Sequence, residues 1–316
     1  MTKILKLRLG GKCNQHCSFC HSNKNDSYEL NPKLIPFIKY NHFDKINYGG
    51  GEPLIYWDTI KYFINKFPKL YHHIVTNGSL FNEEMLEYTF KYDLRIGLSL
   101  NDFTNLSAKA ASLLSKVSKF GYGIVYTGEK TLDEIDSQMD EMNSILNKKV
   151  YSSYNLMHTT NTNTMSYTKE QADKYIDDLT TRIQSSLYSY VNGNKFNRYN
   201  IVTRMNIQNT FANAIPGCLS TNFVSVSLDG RFMECSYDGS YTDKTVDQYW
   251  IKYPKYNYSS CYTCPLKGKC KTCYKNKNDM ECYIYNKIYN NILTSLTEFK
   301  IKDTVELYRN LNMEVT

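Results

Sequence analysis

Six short apolar-rich runs alternate with six helical patterns between residues 3 and 190, and this alternation limits the fold more than any other feature. The runs are KILKLRL (3–9), KINYGG (45–50), HHIVTNG (72–78), RIGLSL (95–100), YGIVYT (122–127) and YSSYNLM (151–157). Helical periodicity occupies 31–40, 57–67, 82–91, 105–120, 131–148 and 168–190. Repetition of this kind builds a parallel sheet with crossover helices. Six units fall short of the eight that close a barrel, so the expected fold is α/β, with a partial (β/α)6 TIM-like barrel. Ligands on such sheets sit at the C-terminal ends of the strands. Four polar or cysteine-bearing segments, CNQHCSFC (13–20), GGGEPL (49–54), TNG (76–78) and SLN (99–101), follow predicted strands and are expected to line one face.

The texture changes after about residue 205. NFVSVSLDGRFMECSYD (222–238) is two β-like runs around an Asp229-Gly230 turn, a hairpin signal. CYTCPLKGKCKTC (261–273) is dense in cysteine, and residues 283–313 carry a helical pattern. The division expected is a barrel over 1–205, a small cysteine-rich domain with a β-hairpin and a C-terminal helix over 206–290, and a helical tail over 291–316.

The N-terminal MTKILKLRLGGK mixes charge with apolar residues and is not a signal peptide. No stretch approaches the roughly 18 apolar residues of a membrane span. A cytoplasmic location is therefore expected, where thiols stay reduced and clustered cysteines bind metal more often than they pair. The net charge of +7 comes without basic runs and does not argue for nucleic acid.

Cys13, Cys17 and Cys20 follow C-x3-C-x2-C. Three thiolates on one short loop can each bind one iron of a cubane, leaving the fourth iron open to another ligand. A zinc site would instead recruit a fourth protein ligand, and His16 or His21 stands ready.

With the four segments taken together and in order, the chain resembles the radical S-adenosylmethionine (SAM) superfamily. The resemblance covers residues 1 to about 205. It implies that Cys13, Cys17 and Cys20 hold a [4Fe–4S] cluster, and that the amino and carboxylate groups of SAM chelate the open iron. Reductive cleavage of SAM then gives methionine and a 5′-deoxyadenosyl radical. In this setting Gly50 and Gly51 let the backbone approach a ligand, and Glu52 accepts from the SAM ammonium. Phe19 packs near the adenine, and Thr76, Asn77 and Ser99 serve the ribose or carboxylate. Asn101 stands where the family often has Asp. Arg95, which starts the fourth run, reads as structural.

The other seven cysteines resemble the SPASM module of auxiliary iron–sulfur clusters. Cys218 is followed by eleven residues, Gly230, four residues and Cys235, and Cys261-x2-Cys264-x5-Cys270 also matches. Cys270-x2-Cys273 is one residue short of that pattern. The resemblance assigns Cys261, Cys264, Cys270 and Cys282 to one auxiliary [4Fe–4S] cluster and Cys218, Cys235 and Cys273 to another. Ala212 occupies the position where some relatives supply an extra cysteine. Structural zinc is the alternative, although zinc ribbons separate such pairs by about 15–20 residues.

The resemblance implies oxidative modification of a peptide, by cross-linking or side-chain oxidation, as in the maturation of ribosomally made peptide natural products. Its partners would be a short precursor peptide and a reductant such as flavodoxin or ferredoxin. The first strand starts at residue 3, so the leader-recognition domain of many peptide-modifying relatives is not expected here, which weakens the peptide reading slightly; a separate protein could do that recognising. The alternatives are dehydrogenation or epimerisation of a small polyol or amino sugar, and a non-catalytic electron carrier. A carrier gains nothing from an open iron. The 29 tyrosines are read as packing and hydrogen-bonding groups.

Overall fold

A computed structural model of the chain describes residues 3–20, 22, 24–100, 106–157, 166–194, 197–211, 223–233, 241–247 and 279–311. The sheet forms from β1 (Ile4–Arg8), β2 (Lys45–Gly49), β3 (Tyr71–Thr76), β4 (Arg95–Ser99), β5 (Phe120–Tyr126) and β6 (Tyr154–Leu156). These six pair in parallel in consecutive order, as the alternation predicts. Between them run α1 (Leu34–Asn41), a 3₁₀ turn at Pro53–Tyr56, α2 (Trp57–Lys66), α3 (Glu83–Tyr92), α4 (Ala108–Leu114) and α5 (Leu132–Leu146). α6 (Lys169–Val191) follows β6.

Period-two patterning decides which face each strand buries. Leu5, Leu7, Ile46, Tyr48, Ile74, Ile96, Leu98 and Ile124 are buried in one core. Burying a side chain of this size contributes roughly 1.5–3 kcal/mol. The alternate positions, Lys45, Asn47, His73, Arg95 and Asn155, lie on the opposite face and are only partly buried or exposed. Helix starts are fixed by side-chain caps. Thr131 and Thr168 form capping boxes with Glu134 and Gln171, and Asn82 accepts from the N–H of Met85.

The hairpin at Asp229-Gly230 is present as β7 (Phe223–Ser227) and β8 (Arg231–Met233). Yet β7 pairs in parallel with β1, opposite β2. The sheet is therefore continuous, in the order β6-β5-β4-β3-β2-β1-β7-β8-β9, with β9 at Tyr241–Thr245. Long-range pairing of this kind leaves no local trace in the sequence. α7 (Asn200–Phe211), α8 (Asp279–Glu298) and α9 (Thr304–Asn310) complete the described elements. α8 packs on α6, where Asn291 donates to Thr180 Oγ1 at 2.9 Å and Tyr283 donates to Asp173 at 2.6 Å. Among the described residues, no helix is long and apolar enough to cross a membrane.

Candidate active site

The cysteine loop leaves β1 and is clamped to the turn that follows β2. Gly51 N–H donates to Gly10 O and Glu52 N–H to Lys12 O, both at 2.9 Å. On the far side of the loop, Ser22 Oγ donates to Gly50 O at 2.8 Å. The glycines make this docking possible. A Cβ on Gly51 would stand 2.1 Å from Lys12 O, and one on Gly50 would stand 2.2 Å from Gly10 O. Gly50 also has φ +131°, in the region glycine favours. Gly10 in turn makes room for Tyr56, whose hydroxyl accepts from Lys12 N–H at 3.1 Å. The neighbour that Gly50 and Gly51 admit among the described residues is thus the backbone of residues 10–12.

Glu52 points inward and is 2% exposed. Its Oε1 accepts from Thr76 Oγ1 at 2.6 Å and from Leu54 N–H at 3.0 Å, while Oε2 accepts from Asn77 N–H at 2.9 Å. Burial raises its carboxyl above the usual range, against the three donors that pull it down. Each carboxylate oxygen has two acceptor sites, so Oε2 keeps one. Thr76 Oγ1 also accepts from Gly78 N–H at 3.0 Å. The Asn77 side chain bridges back to the cysteine loop, donating to Asn14 Oδ1 at 2.8 Å and accepting from Ser79 Oγ at 2.7 Å. Asn14 donates to Ser79 Oγ at 2.8 Å. The ends of β2 and β3 and the cysteine loop are therefore one hydrogen-bonded unit.

Cys13, Cys17 and Cys20 lie on this loop with half-buried thiols. Cys13 Sγ accepts from Gln15 N–H at 3.4 Å, and Cys20 N–H donates to Cys17 O at 3.1 Å. Burial pushes the Cys13 thiol up. Among the described residues, no three Cys, His, Asp or Glu side chains converge as on a single metal ion. A cubane makes a different demand, because each thiolate binds its own iron. Among the described residues, the three thiols share the loop with no fourth His, Asp or Glu at a common metal position, a donor set that fits a cluster with one open iron better than a closed tetrahedral zinc site. His16 is on the same loop, and His21 lies outside the described residues.

Phe19 sits between two of the cysteines and packs against the core. Ser99 ends β4, registers with Gly123 and is partly exposed. Among the described residues, no hydrogen bond joins Ser99 to the Glu52 unit. Asn101 lies outside the described residues. Beyond Cys20 the loop is tied to the sheet by Arg8, 3% exposed, which pairs with Asp26 at 2.8 Å and donates to Tyr28 Oη at 3.2 Å. Tyr28 makes a short hydrogen bond to Tyr241 on β9. Sequence reasoning missed Tyr56, Asn14, Ser79, Asp26 and Tyr28. The paired glycines at 10 and 11 were the available signal for Tyr56.

Of the seven later cysteines, Cys282 is described. It lies in the first turn of α8, beside the Tyr283–Asp173 contact. Cys218, Cys235, Cys261, Cys264, Cys270 and Cys273 lie outside the described residues.

Residues 7–121, which contain all four strand-end segments, match the Radical SAM superfamily. The chain carries a radical SAM domain. Two curated relatives are similar over part of their length. The radical SAM cyclopropyl synthase TigE of Paramaledivibacter caminithermalis is 27% identical over 31% of this chain and 27% of its own. The uncharacterized protein MJ0907 of Methanocaldococcus jannaschii is 26% identical over 31% of this chain and 38% of its own. The chain thus spans less than two-fifths of the length of either relative. Among solved structures, anSMEcpe with bound AdoMet superposes with a TM-score of 0.65 at 16% identity, over 98% of both chains. SuiB of Streptococcus suis, bound to its precursor peptide SuiA, gives 0.60 at 17% identity over 87% of this chain and 72% of that one. At these identities the likeness is one of fold.

Proposed function

We propose that this chain is a radical SAM enzyme that oxidatively modifies a peptide. The observation that carries the reading is the cysteine loop, with its three thiols, fastened at both ends to the Gly50–Glu52 turn inside a radical SAM domain. Cys13, Cys17 and Cys20 hold a [4Fe–4S] cluster. Bound there, with SAM at the open iron, the group would supply the one-electron reduction that cleaves SAM for hydrogen-atom abstraction from substrate. The chain's own residues bind and orient. Glu52 Oε2 offers its remaining acceptor site to the SAM ammonium, and the three donors behind it keep the carboxylate from turning away. Thr76 and Asn77 act through Glu52 and the cysteine loop, holding both in register. Phe19 covers the adenine, Ser99 meets the ribose or carboxylate, and Gly50 and Gly51 keep the turn low beneath the ligand.

A peptide substrate is supported by the company this fold keeps. One solved neighbour holds the Cp18Cys peptide and another the SuiA precursor, while TigE is a cyclopropyl synthase by name. Cys261, Cys264, Cys270 and Cys282 hold one auxiliary cluster in our reading, and Cys218, Cys235 and Cys273 another. The segments bearing them flank β7–β8 and α8, which join the barrel at β1 and α6. The reaction proceeds in the cytoplasm with a flavodoxin- or ferredoxin-type reductant.

The experiment is anaerobic incubation of reconstituted protein with dithionite and SAM, read as 5′-deoxyadenosine. Each of Cys13→Ala, Cys17→Ala and Cys20→Ala should abolish it. Undiminished SAM cleavage in the triple variant would refute the reading.

A further inference from the structure

The face of the sheet turned away from the helices carries a feature that the cysteine loop does not use. On β4 the residues of that face are Arg95, Gly97 and Ser99, since strand side chains alternate and Ile96 and Leu98 lie in the core. Register sets Gly97 beside Gly121 and Ser99 beside Gly123. Three of these neighbouring positions thus have no side chain. Val75, next to Gly97 on β3, is 41% exposed on the same face. The glycines let neighbouring side chains fold down onto the sheet: His73 Nε2 and a Val75 methyl stand 3.2 and 3.4 Å from where a Cβ on Gly97 would be.

Arg95 borders a cavity of about 1050 Å³, lined among others by Phe120, Lys149, Tyr151, Ser153 and Asn155. The Arg95 guanidinium lies over Gly121, 3.5 Å from where a Cβ would stand there. Among the described residues, no hydrogen bond or ion pair holds that guanidinium. Among the described residues, no Asp or Glu lines the cavity. Lys148 also borders it, but its ammonium is held by the carbonyls of Ser115 and Val117 at 2.9 and 2.8 Å. Lys45 and His73 bring further positive or neutral groups to the same face. Each feels Arg95, and Lys45 is lowered by burial and by that neighbour. Lys119 is nearby but paired with Asp93. Arg95 and Lys149 are left facing a polar, acid-free chamber. A low-dielectric cleft lined by one sign of charge concentrates ions of the other sign. A planar guanidinium with open donors matches a carboxylate in two-pronged geometry.

We propose that this chamber binds a carboxylate side chain of the substrate peptide. Glycine at 121 is what lets the Arg95 guanidinium lie down at the cavity's edge with its donors open to a ligand. Arg95, which reads as structural from sequence, becomes a specificity-determining residue. This inference rests on the peptide reading above, so the test separates the two.

Full-length protein, reconstituted anaerobically with iron, sulfide and SAM, is titrated with three probes: acetyl-(Gly-Glu)3-amide, its glutamine counterpart acetyl-(Gly-Gln)3-amide, and inorganic phosphate. The glutamate peptide should bind about tenfold more tightly than the glutamine peptide. Arg95→Gln should remove that preference and Arg95→Lys should keep part of it. Gly121→Leu removes no cation from the sequence but displaces the Arg95 guanidinium that lies over residue 121, and should also remove the preference. Equal binding of both peptides, unchanged in Arg95→Gln, overturns the carboxylate site and leaves the peptide reading standing. Arg95-dependent binding of phosphate and of neither peptide overturns both. Absence of Arg95-dependent binding for every probe overturns the proposal.

Discussion

Thr76 Oγ1 donates to Glu52 Oε1 at 2.6 Å, with both residues buried, and this contact joins the ends of β2 and β3 beneath the cysteine loop. Removing it tests whether the loop depends on the carboxylate behind it. Thr76→Val keeps the shape but leaves Glu52 one donor short and the Gly78 N–H without its acceptor. An unmet buried polar group costs about 1–3 kcal/mol. Glu52→Gln should cost more, because its amide nitrogen cannot accept the N–H of Asn77 or the hydroxyl of Thr76. Both variants should show lower unfolding midpoints and less bound iron, with Glu52→Gln the worse. Full iron loading and a wild-type midpoint in Glu52→Gln would contradict this arrangement.

The three glycines before Glu52 should differ sharply. Gly50→Ala and Gly51→Ala would drive a methyl into backbone oxygens at 2.2 and 2.1 Å. Gly49→Ala would meet the Lys6 side chain at 3.3 Å, which can move aside. The first two should destabilise by about 1–3 kcal/mol and displace the cysteine loop. The third should be tolerated. Thermal unfolding and iron content of the three variants decide it. Equal behaviour across the set would mean that the loop is not seated on this turn.

His73 gives a pH signature. Burial, helped by Lys45 and Arg95, pushes its imidazole down from 6.5 to about 3. The unfolded chain therefore takes up a proton near pH 6.5 that the folded chain refuses. The stability tied to the neutral ring is complete above about pH 6.5 and is lost as pH falls toward 3, amounting to about 1.5 kcal/mol at pH 5.5. His73→Asn should flatten the unfolding midpoint between pH 7.5 and 5.5 relative to wild type. Parallel curves for the two proteins would rule out this source of acid sensitivity.

What the sequence disclosed and what it hid have a common physical cause. Alternation with periods of two and 3.6 is a local property, so all six barrel strands and their helices were legible, as was the Asp229-Gly230 turn. α7 was not, because NIVTRMNIQNTF spreads its apolar residues around the helix. β9 was not, because YTDKT is polar and becomes a strand through pairing with β8. The parallel pairing of β7 with β1 joins residues more than 200 apart. At the site, residue types were legible and their partners were not. Glu52 reads as a ligand acceptor from GGGEP, while the donors behind it come from Leu54, Thr76 and Asn77. Arg95 reads as an ordinary strand start until Gly121 is set beneath its guanidinium.

Metal content separates the readings of the later cysteines. Three cubanes require about 12 iron and as many sulfides per chain after anaerobic reconstitution. About four iron with stoichiometric zinc would assign the second set of cysteines to structural zinc. In Cys282→Ala, which removes one proposed auxiliary ligand, iron should fall while 5′-deoxyadenosine formation from SAM persists, since the SAM cluster is held elsewhere.

The fate of the substrate radical follows from the supply of thiols. The chain has ten cysteines, and the proposed clusters use all of them as ligands. An epimerase of this chemistry returns a hydrogen atom to its substrate radical, commonly from a cysteine, and leaves the product mass unchanged. With no uncommitted thiol, the substrate radical must instead lose an electron, which an auxiliary cluster can accept at a potential set by ligation and surroundings. One hydrogen atom would go to the 5′-deoxyadenosyl radical, making 5′-deoxyadenosine, one electron to a bound auxiliary cluster and one proton to solvent, so the product would lack two hydrogens. The reaction run in deuterated water should give a product lighter than substrate by two hydrogen atoms, with no solvent deuterium on carbon. A product that keeps its hydrogen count and carries one carbon-bound deuterium would overturn the oxidative reading and identify a donor that exchanges with solvent, such as a tyrosine hydroxyl or a cluster-bound thiol.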